Sequence, residues 1–368
     1  MFHAVDLHTD SLVDARLSSD KGFDDLVKIA KFNLTGNSFQ AFKATLTKED
    51  YVLVESCANA FWLYDEIKDL IKECYILDVN KFKSGNNKTD KIDAKKLVKR
   101  LAYYVIAHGD DNDLPLVYVP SKEVRELRGL FSTYRLNKKT MTQFKNRIHS
   151  ILKQNGISFG KKEIFGPTFQ DELAKLPIKG TWRLQIETLF RQYEAVEKET
   201  AEIKKMIHTL GCQLFPREIE ILVSIKGFSP LTAIALMSDV VDVNRFKNAK
   251  KFCAYLRTAP KVRASNETVR IGSTNRYSRS LTCTLLTQSV QHLACAGQHL
   301  EAFYARVRVG KKAGVYRMAL IRKVLVCAYH MLKKDTLFYW ADLGLYQDKL
   351  RELKRITMSE ELVITAAA

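Results

Sequence analysis

The sequence has no run of eighteen apolar residues, and its start, Met1-Phe2-His3-Ala4-Val5-Asp6, lacks a basic segment followed by an apolar one. Neither a membrane span nor a secretory leader is expected. No pair of cysteines has the CxxC spacing: Cys57, Cys74, Cys212, Cys253, Cys283, Cys295 and Cys327 stand apart, mostly among apolar neighbours. They read as reduced core residues of a cytosolic protein, not as disulfides or zinc ligands. Acidic residues are in deficit, 41 Asp and Glu against 59 Lys and Arg, a formal charge of +18. That excess calls for a polyanionic partner, nucleic acid ahead of an acidic protein or a membrane surface. With 368 residues, 46% of them hydrophobic, the chain can bury two or three domain cores.

What is present begins with a pattern of strands. Residues 2 to 17 read as a hairpin, its first strand ending at Asp6 and its turn at His8-Thr9-Asp10, and Lys28 to Leu34 as a third strand. After a short helix from Ser38 to Leu46, Tyr51-Val52-Leu53-Val54-Glu55-Ser56-Cys57 has the length and continuity of a buried central strand. Glu55 interrupts it near its end, which makes Glu55 a solvent-facing strand end or a site residue. A helix from Ala60 to Ile71, a strand from Cys74 to Val79 and a possible last strand from Leu116 to Val119 complete a mixed sheet flanked by helices.

Thr89-Asp90-Lys91-Ile92-Asp93-Ala94 opens the helix that runs to about Tyr104. A spacing of three puts Asp90 and Asp93 on one helical face, one turn apart. Carboxylates that close call for a cation, and Asp in a first turn also complements the helix dipole, so a solvated helix start is the plainer reading of the pair alone. Together with Asp6 and Glu55 at element ends, however, they form a set suited to two-metal phosphoryl transfer on Mg²⁺ or Mn²⁺.

Two long helices follow. From Ser121 to about Asn155, the residues Val124, Leu127, Phe131, Tyr134, Met141, Ile148 and Leu152 keep three-four spacing, broken by Lys138 and Lys145; from Thr181 to Leu210 a heptad seam runs through Leu189, Tyr193, Val196, Ile203, Ile207 and Leu210. They predict a helical arm, packed internally or used for self-association as a dimer or tetramer. Ser224-Ile225-Lys226-Gly227-Phe228-Ser229-Pro230 joins two short helices as a helix-hairpin-helix does, with Lys226 and Gly227 placed to meet a DNA phosphate.

Between Arg245 and Ser280 stand ten Lys and Arg and a single acidic residue, Glu267. Lys261, Arg263, Arg270, Arg276 and Arg279 belong to this densest part of the basic footprint. Ala259 to Asn266 reads as a loop leading into a strand over Glu267 to Ile271, and Arg263 and Arg270 are close enough in sequence to bind a phosphate beside Ser265. The remainder, 278 to 296, 300 to 307, 315 to 334 and 343 to 356, reads as helical, with a frayed tail.

These motifs resemble the DEDD-type transposases of the IS110/IS1111 insertion sequences and the related Piv pilin-gene invertases. The parts that carry the resemblance are Val5-Asp6, Val54-Glu55-Ser56, the Thr89–Ala94 box, the turn from Ile225 to Ala233, and Arg245 to Phe252 followed by Ala254-Tyr255-Leu256. The resemblance implies an α/β plus α chain: a RuvC-like domain of RNase H fold over 1–120, a coiled-coil arm over 121–212, a mostly helical transposase domain over 213–335 and a C-terminal helix and tail over 336–368. It implies Asp6, Glu55, Asp90 and Asp93 as metal ligands, Ser265 as nucleophile, and a bridge RNA joining donor and target double-stranded DNA in a bacterial, nucleoid-associated setting.

The sequence departs from the family's pattern around the serine. Asn266 stands where Gly is usual, Arg257-Thr258-Ala259-Pro260 where Gly-Leu-x-Pro is expected, Asn275-Arg276-Tyr277-Ser278 in place of Lys-Arg-Gly-Asn, and Ser229 in place of the second turn glycine. Two other readings are a Mg²⁺-dependent, resolvase-like nuclease that uses water, and a non-catalytic nucleic-acid binder.

Overall fold

The computed structural model describes residues 1–18, 27–79, 81, 90–109, 113–157, 165, 171, 175–265, 268–274 and 280–367. The chain divides into two compact units, Met1–Pro120 and Ser121–Ala368.

The first unit is a five-stranded mixed sheet, in the order β3-β2-β1-β4-β5, built from β1 (Phe2–Leu7), β2 (Ser11–Leu17), β3 (Lys28–Asn33), β4 (Tyr51–Glu55) and β5 (Glu73–Leu77). The β1–β2 hairpin pairs Phe2 with Leu17 and Leu7 with Leu12, whereas β1 and β4 run parallel, with Phe2 against Tyr51 and Val5 against Val54. Successive side chains of the central strands point to opposite faces, and both faces are covered, so each strand contributes to two cores. Val5, Leu12, Val52, Val54 and Ile76 pack against Phe39 and Phe42 of α1 (Gly36–Ala44) and Leu63 and Ile67 of α2 (Ala60–Ile67). Phe2, Ala4, Leu53 and Leu77 face the other way, in one core with Ala94, Leu97, Val98 and Leu101 of α3 (Asp90–Ile106). Within the first layer His3 is fully buried, its Nδ1 3.1 Å from Asp14 Oδ1, and Arg16 Nε donates to Asp14 Oδ2 at 2.6 Å. The strand expected at Leu116 to Val119 is a single antiparallel bridge, Leu77 to Leu116, since Pro115 and Pro120 flank it and prevent the ladder from continuing.

The second unit is helical. Ser121 caps α4 (Lys122–Gln154), its Oγ accepting from Val124 N at 3.4 Å. The near half of α4 enters the unit's main core through Val124, Leu127 and Phe131, and the far half, Met141 to Leu152, packs against Ile186, Phe190 and Tyr193 of α5 (Gly180–Leu214). The two long helices therefore pair within one chain. Gly211 lets α5 approach its neighbour closely, for a Cβ there would stand 2.3 Å from the Ile234 side chain. Ile234 lies on α7 (Pro230–Val240), every residue of which is buried, between α6 (Pro216–Val223) and the helices that follow.

Those are α8 (Ala249–Tyr255), α9 (Leu281–Gln288), α10 (Val290–Ala294), α11 (Gln298–Arg308), α12 (Ala313–Lys334) and α13 (Leu343–Ala367). The stretch expected as helical over 278–296 holds two helices, parted at Ser289, and the last helix extends beyond the expected end at Ile356. The segment expected as a loop before Asn266 is a strand, β6 (Pro260–Ser265), paired antiparallel with β7 (Thr268–Thr274). Cys57 and Cys295 are exposed, unlike the other five cysteines, which are wholly or partly buried; all seven are free thiols.

Candidate functional site

In the first unit the parallel pairing of Val5 with Val54 brings the next residues, Asp6 and Glu55, side by side at the carboxyl ends of β1 and β4. Alternation assigns both to the α3 face, since Asp6 is two residues past Ala4 and Glu55 two past Leu53. Both carboxylates are half-buried, and both lie within electrostatic reach of Cys57: burial first, then the negative charge of Asp6 and Glu55, pushes that thiol up. His8 Nε2 approaches Asp6 Oδ2 at 3.5 Å.

Loops at this edge are tied together. Asn59 Nδ2 donates to His8 O at 3.0 Å, joining the β1–β2 turn to the β4–α2 loop, and Ser56 N donates to Leu77 O at 3.1 Å. Asp90 and Asp93 lie in the first turn of α3, and Ala94, immediately after, is buried in the core of the same face. The side chains of Asp90 and Asp93 lie outside the described residues. Among the described residues no three His, Cys, Asp or Glu gather as a metal-binding group. Carboxylate oxygens in adjacent register are nonetheless the donor type that hard divalent cations take.

In the second unit the turn between α6 and α7 is shaped by packing. Gly227 has φ +96°, and a Cβ there would stand 2.9 Å from the Leu293 side chain and 3.0 Å from its backbone nitrogen. Ser229, found in place of a glycine, has an extended conformation and caps α7, its Oγ accepting from Thr232 N at 3.2 Å, so this position needs no left-handed backbone. From behind, Lys349 Nζ donates to Val223 O at 2.8 Å and Ile225 O at 3.1 Å, and burial draws its ammonium down to about 8. Lys226 is half-buried.

Leaving α8, the chain adopts the paired-bond ending of a Schellman motif: Thr258 N donates to Cys253 O at 3.0 Å and Arg257 N to Ala254 O at 3.2 Å. Arg257 takes the left-handed position at φ +63°, which glycine occupies without steric cost. Beyond it, the β6–β7 register pairs Arg263 with Arg270 and Ser265 with Thr268. Alternation assigns all four positions to one face of the ribbon. Lys261 lies on β6 near an irregularity in the register, and Arg276 and Arg279 lie outside the described residues.

Sequence reasoning did not anticipate a cavity of about 310 Å³ lined by Arg128, Phe131, Ser132, Arg135, Ser238, Asp239, Ser280 and Leu281. Its walls come from α4, the end of α7 and the start of α9, segments far apart in sequence. The only local signal was Arg128, Ser132 and Arg135 at helical spacing.

A two-stranded basic ribbon mounted on a helical core is an arrangement suited to nucleic acid. Residues 219–305, which include the α6–α7 turn and the whole ribbon, match the family described as transposase IS116/IS110/IS902. This stretch of the chain is therefore similar to the IS110-family transposases. No curated protein matches the chain. No helix among the described residues is long and apolar enough to cross a membrane.

Proposed function

We propose that the chain is a DNA recombinase that cuts and rejoins DNA through a covalent bond between Ser265 and a DNA phosphate, with Asp6, Glu55, Asp90 and Asp93 holding Mg²⁺ or Mn²⁺. The observation that carries this reading is the register of the basic ribbon, in which Ser265 shares a face with the directly opposed Arg263 and Arg270. Two guanidiniums at that spacing can hold a phosphate by its non-bridging oxygens and present its phosphorus to a hydroxyl.

In the proposed step the serine Oγ bonds to phosphorus as the phosphorus–oxygen bond to the departing strand breaks. The serine proton passes to a base, and the departing oxygen acquires a proton. Attack by the exchanged strand's hydroxyl reverses the step and frees the serine. The number of phosphoester bonds is unchanged throughout, so no nucleotide cofactor is consumed.

The five-stranded mixed sheet, three antiparallel strands continued by two parallel ones, supports an RNase H-like, RuvC-type reading of the first unit. Asp6 and Glu55 fit a hard divalent cation, which when bound would neutralise charge developing on the phosphate oxygens. Bridge-RNA guidance rests on the sequence motifs, with the net charge of +18 in its favour, and assembly as a dimer or tetramer is part of the same proposal. RNA recovered with the purified protein tests the first, and light scattering the second.

The central test is a denaturing gel of the protein, purified with its bound nucleic acid, after incubation with Mg²⁺ and labelled DNA spanning the flanks of its own genetic element. A protein–DNA adduct that Ser265→Ala abolishes is expected. Cleavage without an adduct assigns the chain to the water-dependent nucleases, and binding with neither makes it a binder.

A further inference from the structure

The cavity beside α4 is lined by two arginines and three serines, and nothing in the reading above uses it. Arg128, Ser132 and Arg135 are four and three residues apart, so they form one stripe of α4, with Phe131 buried at the cavity's floor. Arg128 is fixed in place: Nε donates to Ser238 O at 2.8 Å and Nη2 to Asp239 O at 3.2 Å, at the carboxyl end of α7. The one carboxylate in the lining, Asp239, is 2% exposed, and accepts from Thr282 Oγ1 at 2.8 Å and Thr282 N at 3.4 Å. Its Oδ2 is thus engaged by Thr282 at the start of α9. At the mouth stand Ser132 and Arg135, both exposed, with Ser280 opposite.

A rigid arginine, an exposed arginine and hydroxyls around a polar cavity are the donors that bind a phosphate group. The volume of about 310 Å³ is at the lower end of ligand clefts, room for a phosphate with its attached sugar oxygens. The chain leaves β7 at Thr274 and reaches the cavity at Ser280, so the cavity lies at most about 20 Å from the base of the basic ribbon.

We propose that this cavity takes a backbone phosphate of the bound nucleic acid, with Arg135 and the Ser132 and Ser280 hydroxyls as its direct contacts and Arg128 as its fixed wall. The proposal rests on the DNA-binding reading above and adds a contact outside the ribbon.

The test is the salt dependence of duplex binding, followed by fluorescence anisotropy. Arg135→Ala removes one phosphate contact, so the slope of log K against log salt falls by about 0.9, whereas Arg135→Lys, which keeps the charge, holds most of the slope. Ser132→Trp retains every charge but fills the mouth; it is expected to reduce the slope by the same amount while leaving the melting temperature near the wild-type value. Slopes unchanged in both Arg135→Ala and Ser132→Trp overturn the proposal while leaving DNA binding intact. A wild-type protein that binds no duplex even at low salt overturns the DNA-binding reading itself, and this proposal with it. Inorganic phosphate that raises the wild-type melting temperature, together with unchanged slopes, makes the cavity a free-phosphate site and overturns the nucleic-acid assignment.

Discussion

Asp6 and Glu55 leave adjacent parallel strands side by side, each one residue beyond the paired Val5 and Val54. The metal site proposed above rests on these two carboxylates, oxygen donors of the type that a hard divalent cation takes.

Asp6→Asn and Glu55→Gln each remove one anionic donor without changing side-chain volume. Each is expected to lower Mg²⁺-dependent DNA cleavage by about 100-fold or more and to weaken Mn²⁺ binding measured by calorimetry, with an unchanged circular-dichroism spectrum. Wild-type Mn²⁺ affinity in both variants would remove these residues from the metal site.

Arg257 occupies a left-handed position in the Schellman turn that ends α8. Arg257→Gly is expected to raise stability by about 1 kcal/mol, because glycine adopts this backbone without the Cβ clash. Urea unfolding measures it; a lowered midpoint would show that the arginine side chain stabilises more than its backbone costs.

His208 on α5 is buried, and its Nε2 makes no hydrogen bond among the described residues. Burial, reinforced by Lys204, pushes its pKa down to about 4. The unfolded chain binds this proton below about 6.5 and the folded chain only near 4, so stability falls as the pH drops through that window, by up to about 3 kcal/mol. Replacing His208 with Leu should flatten this part of the pH profile in chemical denaturation. A profile that keeps its full slope in His208→Leu assigns the acid sensitivity to other groups.

The facing arginines of the ribbon make a separate prediction. Duplex DNA should slow amide exchange across residues 260–274 by about tenfold or more, because a phosphate bound at the paired positions 263 and 270 would hold the two strands together. Exchange that is unaffected by saturating duplex contradicts placement of the phosphate on this ribbon.

Much of the fold was legible where one physical signal dominates. The continuous apolar run Val52-Leu53-Val54 gave a central strand, and the Ser121 cap with three-four spacing gave α4. β6 was hidden because its alternation over Pro260–Ser265 is short, with Val262 as its one strongly apolar residue, and among the described residues it pairs only with the neighbouring strand β7. The bridge at Leu116 looked like a strand because Leu116-Val117 is apolar, whereas the flanking prolines prevent a continued ladder. The arm's seam was visible, but not that its near half joins the main core through Leu127 and Phe131. Of the candidate sites, Arg263 and Arg270 stood out as close in sequence, but their direct pairing was not legible because the segment before Asn266 read as a loop. The Arg135 cavity was not legible either, because Ser132, Asp239 and Ser280 meet only through tertiary packing.

The most direct test is to map the DNA-derived mass after nuclease digestion of a protein–DNA reaction. Trypsin releases the segment from Ala264 to Arg270, in which Ser265 and Thr268 are the only hydroxyl side chains. Recombination through the serine predicts a nucleotide adduct on that peptide, located at Ser265 by fragmentation. An adduct at any other residue, or DNA cut with this peptide unmodified, would contradict it.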